Sequence, residues 1–145
     1  MSTWPADKDL AGRFSHPANA AVLAFLQQEH PWSAHDDLAE ELFVAAQQIP
    51  EAESYCPDLA RYAYVALHTK ARVIFALAVG MNRLSIRLSE HGQTALSDGA
   101  MPSRNLGPEW YAFPVFTGDV SANRARIGRW LKVAYDLACR HESIR

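Results

Sequence analysis

The most constraining feature of this chain lies at its centre. Residues 73–79 are seven consecutive apolar residues with no helical or twofold period. A run this short and this evenly apolar predicts a strand covered on both faces. Gly80, Met81 and Asn82 follow as a turn signal. Residues 83–89 then alternate strictly, so Leu84, Ile86 and Leu88 point inward and Arg83, Ser85 and Arg87 outward. A hairpin of this kind needs a layer of chain on each side of its first strand.

The flanking segments supply the rest of the architecture. Residues 61–68, rich in Tyr, Val and Ala, predict a strand that turns at Thr69 and Lys70. Residues 110–116 are aromatic-rich and predict another, with Pro114 at an edge or a bulge. Before the sheet, Ala21, Val22, Phe25 and Leu26 recur at helical spacing from Pro17 until His30 and Pro31 end the helix. Ser33 and Asp36 read as a capping box, with Asp36 and Asp37 at the positive end of a second helix. Its stripe is Leu38, Leu42, Phe43, Ala46 and Ile49, and Pro50 stops it. After the sheet, Ser121 is placed to cap a long helix whose stripe is Ile127, Trp130, Leu131, Ala134, Leu137 and Ala138. Residues 93–97 make one short helical turn, and residues 51–58 and 101–108 read as loops. The expectation is a single α+β domain: a loose terminus over 1–14, a helical acidic part over 17–58, and over 61–145 an antiparallel sheet of about four strands closed by a long C-terminal helix.

Composition narrows the setting. With 145 residues, 49% hydrophobic and 21% charged, the chain is ordinary globular material. It has no apolar window long enough to span a bilayer, and its first ten residues have no secretory h-region. Two cysteines far apart, Cys56 and Cys139, make no disulfide framework, so a cytoplasmic protein with reduced thiols is expected. The net charge of −2 hides an asymmetry. Residues 1–60 hold two cations against ten carboxylates, a balance of −8; residues 61–145 hold twelve against six, a balance of +6. Either the basic half meets an anionic partner, or the acidic half neutralises it, with Asp36, Asp37, Glu40 and Glu41 as the natural counter-charges.

Candidate chemistry is sparse. The run from His30 to Asp37 contains metal-ligating residue types, but helix capping accounts for Ser33 and Asp36, and no metal or other cofactor is expected. Cys56 precedes Pro57 in an acidic loop, which opposes thiolate formation; Cys139 reads as a small packed residue. His68 and His91 lack an orienting carboxylate other than Glu90, and no phosphate loop or nucleophile elbow is present. An enzyme is therefore the less favoured class, surviving only as a site assembled from distant residues. The positive signal is arginine: Arg83 and Arg87 on one hairpin face, Arg104 in the following loop, and Arg124, Arg126, Arg129 and Lys132 in the first turns of the last helix, where cations oppose the helix dipole.

Residues 72–139 resemble the MmcQ/YjbR family. The resemblance runs through the residue 73–77 strand, the alternating strand, the Pro102-Ser103-Arg104 loop, Trp110, and the closing helix at residues 134–138. It implies an α+β fold and nucleic-acid binding through a double-wing arrangement, with Trp110 as the aromatic beside the basic residues. Where the family has an Asn-Lys-x-His-Trp run, this chain has Leu106, Gly107, Pro108, Glu109 and Trp110, and Glu109 repels phosphate. The N-terminal half is also longer and more acidic than the family pattern. The reading is a small binding protein whose Arg83, Arg87, Arg104, Arg124, Arg126, Arg129 and Lys132 take an anionic partner, with nucleic acid implied by the resemblance. The alternatives are an adaptor or inhibitor working through its acidic helices, and an enzyme with a dispersed site.

Overall fold

A computed structural model describes residues 10–27, 34–57 and 64–143. Six antiparallel strands form one sheet in the order β1-β2-β3-β4-β6-β5. They are β1 (Glu53–Tyr55), β2 (Val65–His68), β3 (Ile74–Ala78), β4 (Arg83–Arg87), β5 (Met101–Pro102) and β6 (Trp110–Pro114). The sheet has six strands rather than about four. The two additional strands, β1 and β5, fall in segments whose polarity and prolines read as loops; pairing with β2 and β6 gives them backbone partners that no local signal announces. Pro114 ends β6 beyond the reach of β5, which pairs only with Tyr111 and Ala112, so the proline sits where its strand is an edge.

Every residue of β3 is buried, as its apolar run requires. One face is covered by α3 (Asp36–Ala46) and α5 (Val120–Ser143), which pack Leu38, Leu42, Ile127, Leu131 and Ala134 against Leu84 and Ile86. Phe113 stacks on Trp130 at 6.0 Å, and Phe75 meets Tyr135 edge-on at 5.7 Å. The other face is covered by α1 (Leu10–Arg13) and α2 (Ala20–Leu26), whose Leu10, Val22, Phe25 and Leu26 pack with Phe14 on Ile74, Leu77 and Trp110. The expected loose terminus is thus corrected from residue 10 onward. Leu10 and Phe14 are fully buried, because the second face of β3 must be closed and these residues close it. A bulge opposite Leu67 and His68 interrupts the alternation of β3, so Phe75 and Ala76 both enter the α3–α5 layer while Ile74 turns to the α1–α2 side.

Buried asparagines hold the layers. Asn19 has no solvent exposure. Its amide donates to the Phe14 carbonyl at 3.1 Å and the Arg72 carbonyl at 2.7 Å, and its Oδ1 accepts from Ile74 N–H at 2.8 Å. One side chain therefore ties the start of α2 to the start of β3. Arg72 adopts a left-handed backbone (φ 67°) to present that carbonyl. Asn123 donates likewise to the Val115 and Thr117 carbonyls, joining α5 to the end of β6.

Helix starts differ from expectation in one way that repeats. The second helix is capped by His35, whose Nδ1 accepts from Asp37 N–H; Ser33, the expected cap, lies outside the described residues, as do His30 and Pro31. The last helix is capped by Asp119, whose carboxylate accepts from Ala122 N–H, so Ser121 is already inside the helix. Between the sheet halves, α4 (Gly92–Ser97) starts at a glycine because a Cβ there would overlap the Tyr111 hydroxyl. Among the described residues, no helix is long and apolar enough to cross a membrane.

Candidate anion-binding cleft

The pleat of β4 puts Leu84 and Ile86 in the α3–α5 layer, so Arg83, Ser85 and Arg87 share the opposite face. That face is not uniformly open, which corrects the outward placement of Arg87. Its guanidinium Nε and Nη2 both donate to Glu109 Oε1, at 2.8 and 2.7 Å, while Nη1 donates to the Ala18 carbonyl at 2.8 Å. Only 12% of the side chain reaches solvent. Trp110, opposite Arg87 in the register, is buried among Phe14, Phe25 and Leu106 and offers no stacking face. The start of α2 covers this end of the strand.

The other end stays open. Register places Leu77, Ser85, Ala112 and Met101 in one row across β3, β4, β6 and β5. Leu77 is buried in the layer under α2; beyond it the row forms the floor of a cleft of about 260 Å³. Arg83 and Val79 stand on one side, Phe25 closes the helical end, and the loop after β5 forms the remaining wall. Two turns hold that loop: Leu106 N–H donates to the Ser103 carbonyl and Gly107 N–H to the Arg104 carbonyl. Gly107 adopts φ 113°, a conformation that favours glycine. Leu106 is thereby pinned in the core, while Arg104 and Asn105 are exposed on the cleft rim. On the floor, the Ser85 and Ser103 hydroxyls are 2.9 Å apart. Two hydroxyls so paired use one proton between them and keep the second for another acceptor.

The remaining basic residues are dispersed or engaged. Arg124 grips Glu41 with two parallel bonds, Nε to Oε1 at 2.9 Å and Nη2 to Oε2 at 2.6 Å, tying α5 to α3. The hydrogen bond to Glu41 raises the Arg124 guanidinium above its ordinary pKa. Arg126 donates to Asn123 Oδ1 at 2.8 Å and lies 3.6 Å from Asp98. Arg129 and Lys132 are exposed on α5, on the other side of the sheet from the cleft, with Lys132 6.0 Å from the Tyr135 ring centroid. Of the seven cations singled out from sequence, only Arg83 and Arg104 come together at one site. Among the described residues neither has a carboxylate within ion-pairing distance, and no carboxylate lines the cleft.

Ser85, Ser103, Asn105, Phe25 and Met101 went unnoticed in the sequence as site residues. Ser85 carried a usable signal, a polar residue between two arginines on an alternating strand. Met101 and Phe25 carried none, because only the strand register and the reach of α2 bring them there. Among the described residues, no three His, Cys, Asp or Glu side chains group as metal ligands. No family model, curated protein or solved structure matches the chain.

Proposed function

We propose that this is a cytosolic binding protein for an anionic partner, and that the Arg83–Arg104 cleft is its contact surface. The observation that carries the reading is the meeting of two guanidinium groups on one cleft that no carboxylate lines among the described residues, while Arg87, Arg124 and Arg126 each have a local acidic partner. A guanidinium fork holds carboxylate and phosphate oxygens in pairs, and the spare serine proton adds a neutral donor. The resemblance of residues 72–139 to the MmcQ/YjbR family also supports an anionic partner.

The test is a titration at low salt with inorganic phosphate, with short carboxylates and with a labelled single-stranded oligonucleotide. Binding of at least one of these anions is expected, and Arg83→Gln with Arg104→Gln weakens it by about tenfold or more, since each lost bond to a charged group is worth about 1.5–3 kcal/mol. Arg129→Gln with Lys132→Gln leaves it unchanged. Absence of oligonucleotide binding at roughly tens of micromolar, together with absence of binding by phosphate and by short carboxylates, rejects the reading. So does loss of binding through the α5 variant alone.

A further inference from the structure

We infer that the cleft takes a small monocarboxylate with an apolar body, and not a polyanionic chain. The inference rests on the anion-binding reading above and adds the size and polarity of the ligand. Nucleic-acid binding at useful affinity draws on a track of phosphate contacts, typically six to ten in a duplex-binding protein. Here the open cations at the cleft are Arg83 and Arg104; of the other exposed cations among the described residues, Arg129 and Lys132 lie beyond the sheet on α5, Lys70, Arg124 and Arg140 face carboxylates, and Arg13 and Arg72 stand together at the opposite end of β3 from Val79. No single strand of phosphates runs from the cleft to Arg129 and Lys132 without crossing the edge of the sheet, and the length of β3 separates Arg13 and Arg72 from the cleft.

The cleft is also divided in polarity. Arg83, Arg104 and the Ser85–Ser103 hydroxyl pair gather the polar groups. Phe25, Val79, Met101 and Leu106 supply apolar surface within the same volume. Met101 is 39% exposed, large apolar surface left in solvent beside two charges. A free inorganic anion satisfies the guanidinium groups and leaves this surface wet. A carboxylate carrying a few methylenes satisfies both. The volume of about 260 Å³ falls just under the roughly 300–1,000 Å³ of drug-sized pockets, which suits a short organic acid.

The experiment is a two-dimensional NMR titration of the isotope-labelled full chain with acetate, hexanoate, 1-hexanol, inorganic phosphate and an oligothymidylate at matched ionic strength. Each buried methylene is worth about fourfold in affinity, so even a partly open cleft gives hexanoate at least about a tenfold advantage over acetate. Shifts are expected at the Ser85 and Arg104 amides. Arg83→Gln with Arg104→Gln weakens hexanoate by about tenfold or more. Met101→Ala, in an exposed two-residue strand, narrows the hexanoate-to-acetate ratio and leaves acetate binding as it was. Equal binding of acetate and hexanoate, or arginine-dependent binding of phosphate or oligothymidylate alone, overturns the apolar body while the anion reading stands. Equal binding of hexanol and hexanoate overturns the charged head. No binding by any anion removes both.

Discussion

Arg83 and Arg87 stand four residues apart on one face of β4, yet they live in different solvents. Arg87 lies beneath the start of α2, where a carbonyl of that turn and the Glu109 carboxylate take up its donors. Arg83 faces the cleft that Phe25 closes at its helical end, and among the described residues no carboxylate lines it. The pair shows how the same residue on the same strand becomes a structural tie or a candidate ligand contact. Desolvation makes the difference: a charge moved out of water must be met by fixed partners, whereas one left in water can wait for a mobile one.

What holds α2 over the Arg87 end is Asn19, and removing it should blur the contrast most. Asn19→Ala leaves the Phe14 and Arg72 carbonyls and the Ile74 N–H without their bonds in a buried position, at a cost of about 3 kcal/mol or more. Urea denaturation reads the loss, and hydrogen exchange should show α2 amides opening well before those of α5. A smaller effect separates the two arginines directly. Arg87→Ala strands the Ala18 carbonyl and releases Glu109, costing about 2 kcal/mol, while Arg83→Ala stays within about 0.5 kcal/mol. Equal losses from the two variants would mean that the cleft arginine is as structural as its neighbour.

The mildest test uses a buried titratable group on the closed side. His68 stacks edge-on against Phe14 at 5.1 Å, and its Nδ1–H donates to the Thr69 carbonyl at 2.7 Å. Burial pushes its pKa below the ordinary 6.5, with the Thr69 bond pulling partly back. The unfolded chain therefore binds this proton more readily than the folded one. The neutral imidazole contributes stability that is fully present above about pH 6.5 and lost as pH falls toward its lower folded value. Denaturation midpoints at pH 7.5 and 5.5 should show this decline, and His68→Gln should flatten it. An unchanged slope in the variant would place the acid sensitivity elsewhere.

Much of the fold is legible in the chain because it depends on local periodicity. Leu84, Ile86 and Leu88 alternate and are buried; the stripe from Ile127 to Ala138 is helical and buried; the run through β3 is covered on both faces. The misreadings share a cause. Glu53–Tyr55 and Met101–Pro102 become strands only through a partner, and Leu10 and Phe14 are core only because a distant strand needs covering. Asp119 and His35 cap the helices for which local sequence points to Ser121 and Ser33, since boundaries depend on where tertiary contacts let each helix start.

The candidate site divides the same way. Residue order alone determined that Arg83, Ser85 and Arg87 would share one face of a strand, since side chains alternate with the pleat whatever surrounds them. It also supplied the acidic stretch that Arg124 grips through Glu41. Which of those arginines meets solvent was decided by how far α2 extends over the sheet and by which strands flank β4. Those are distances between segments remote in the chain, and they arise only once burial has set the layers in place.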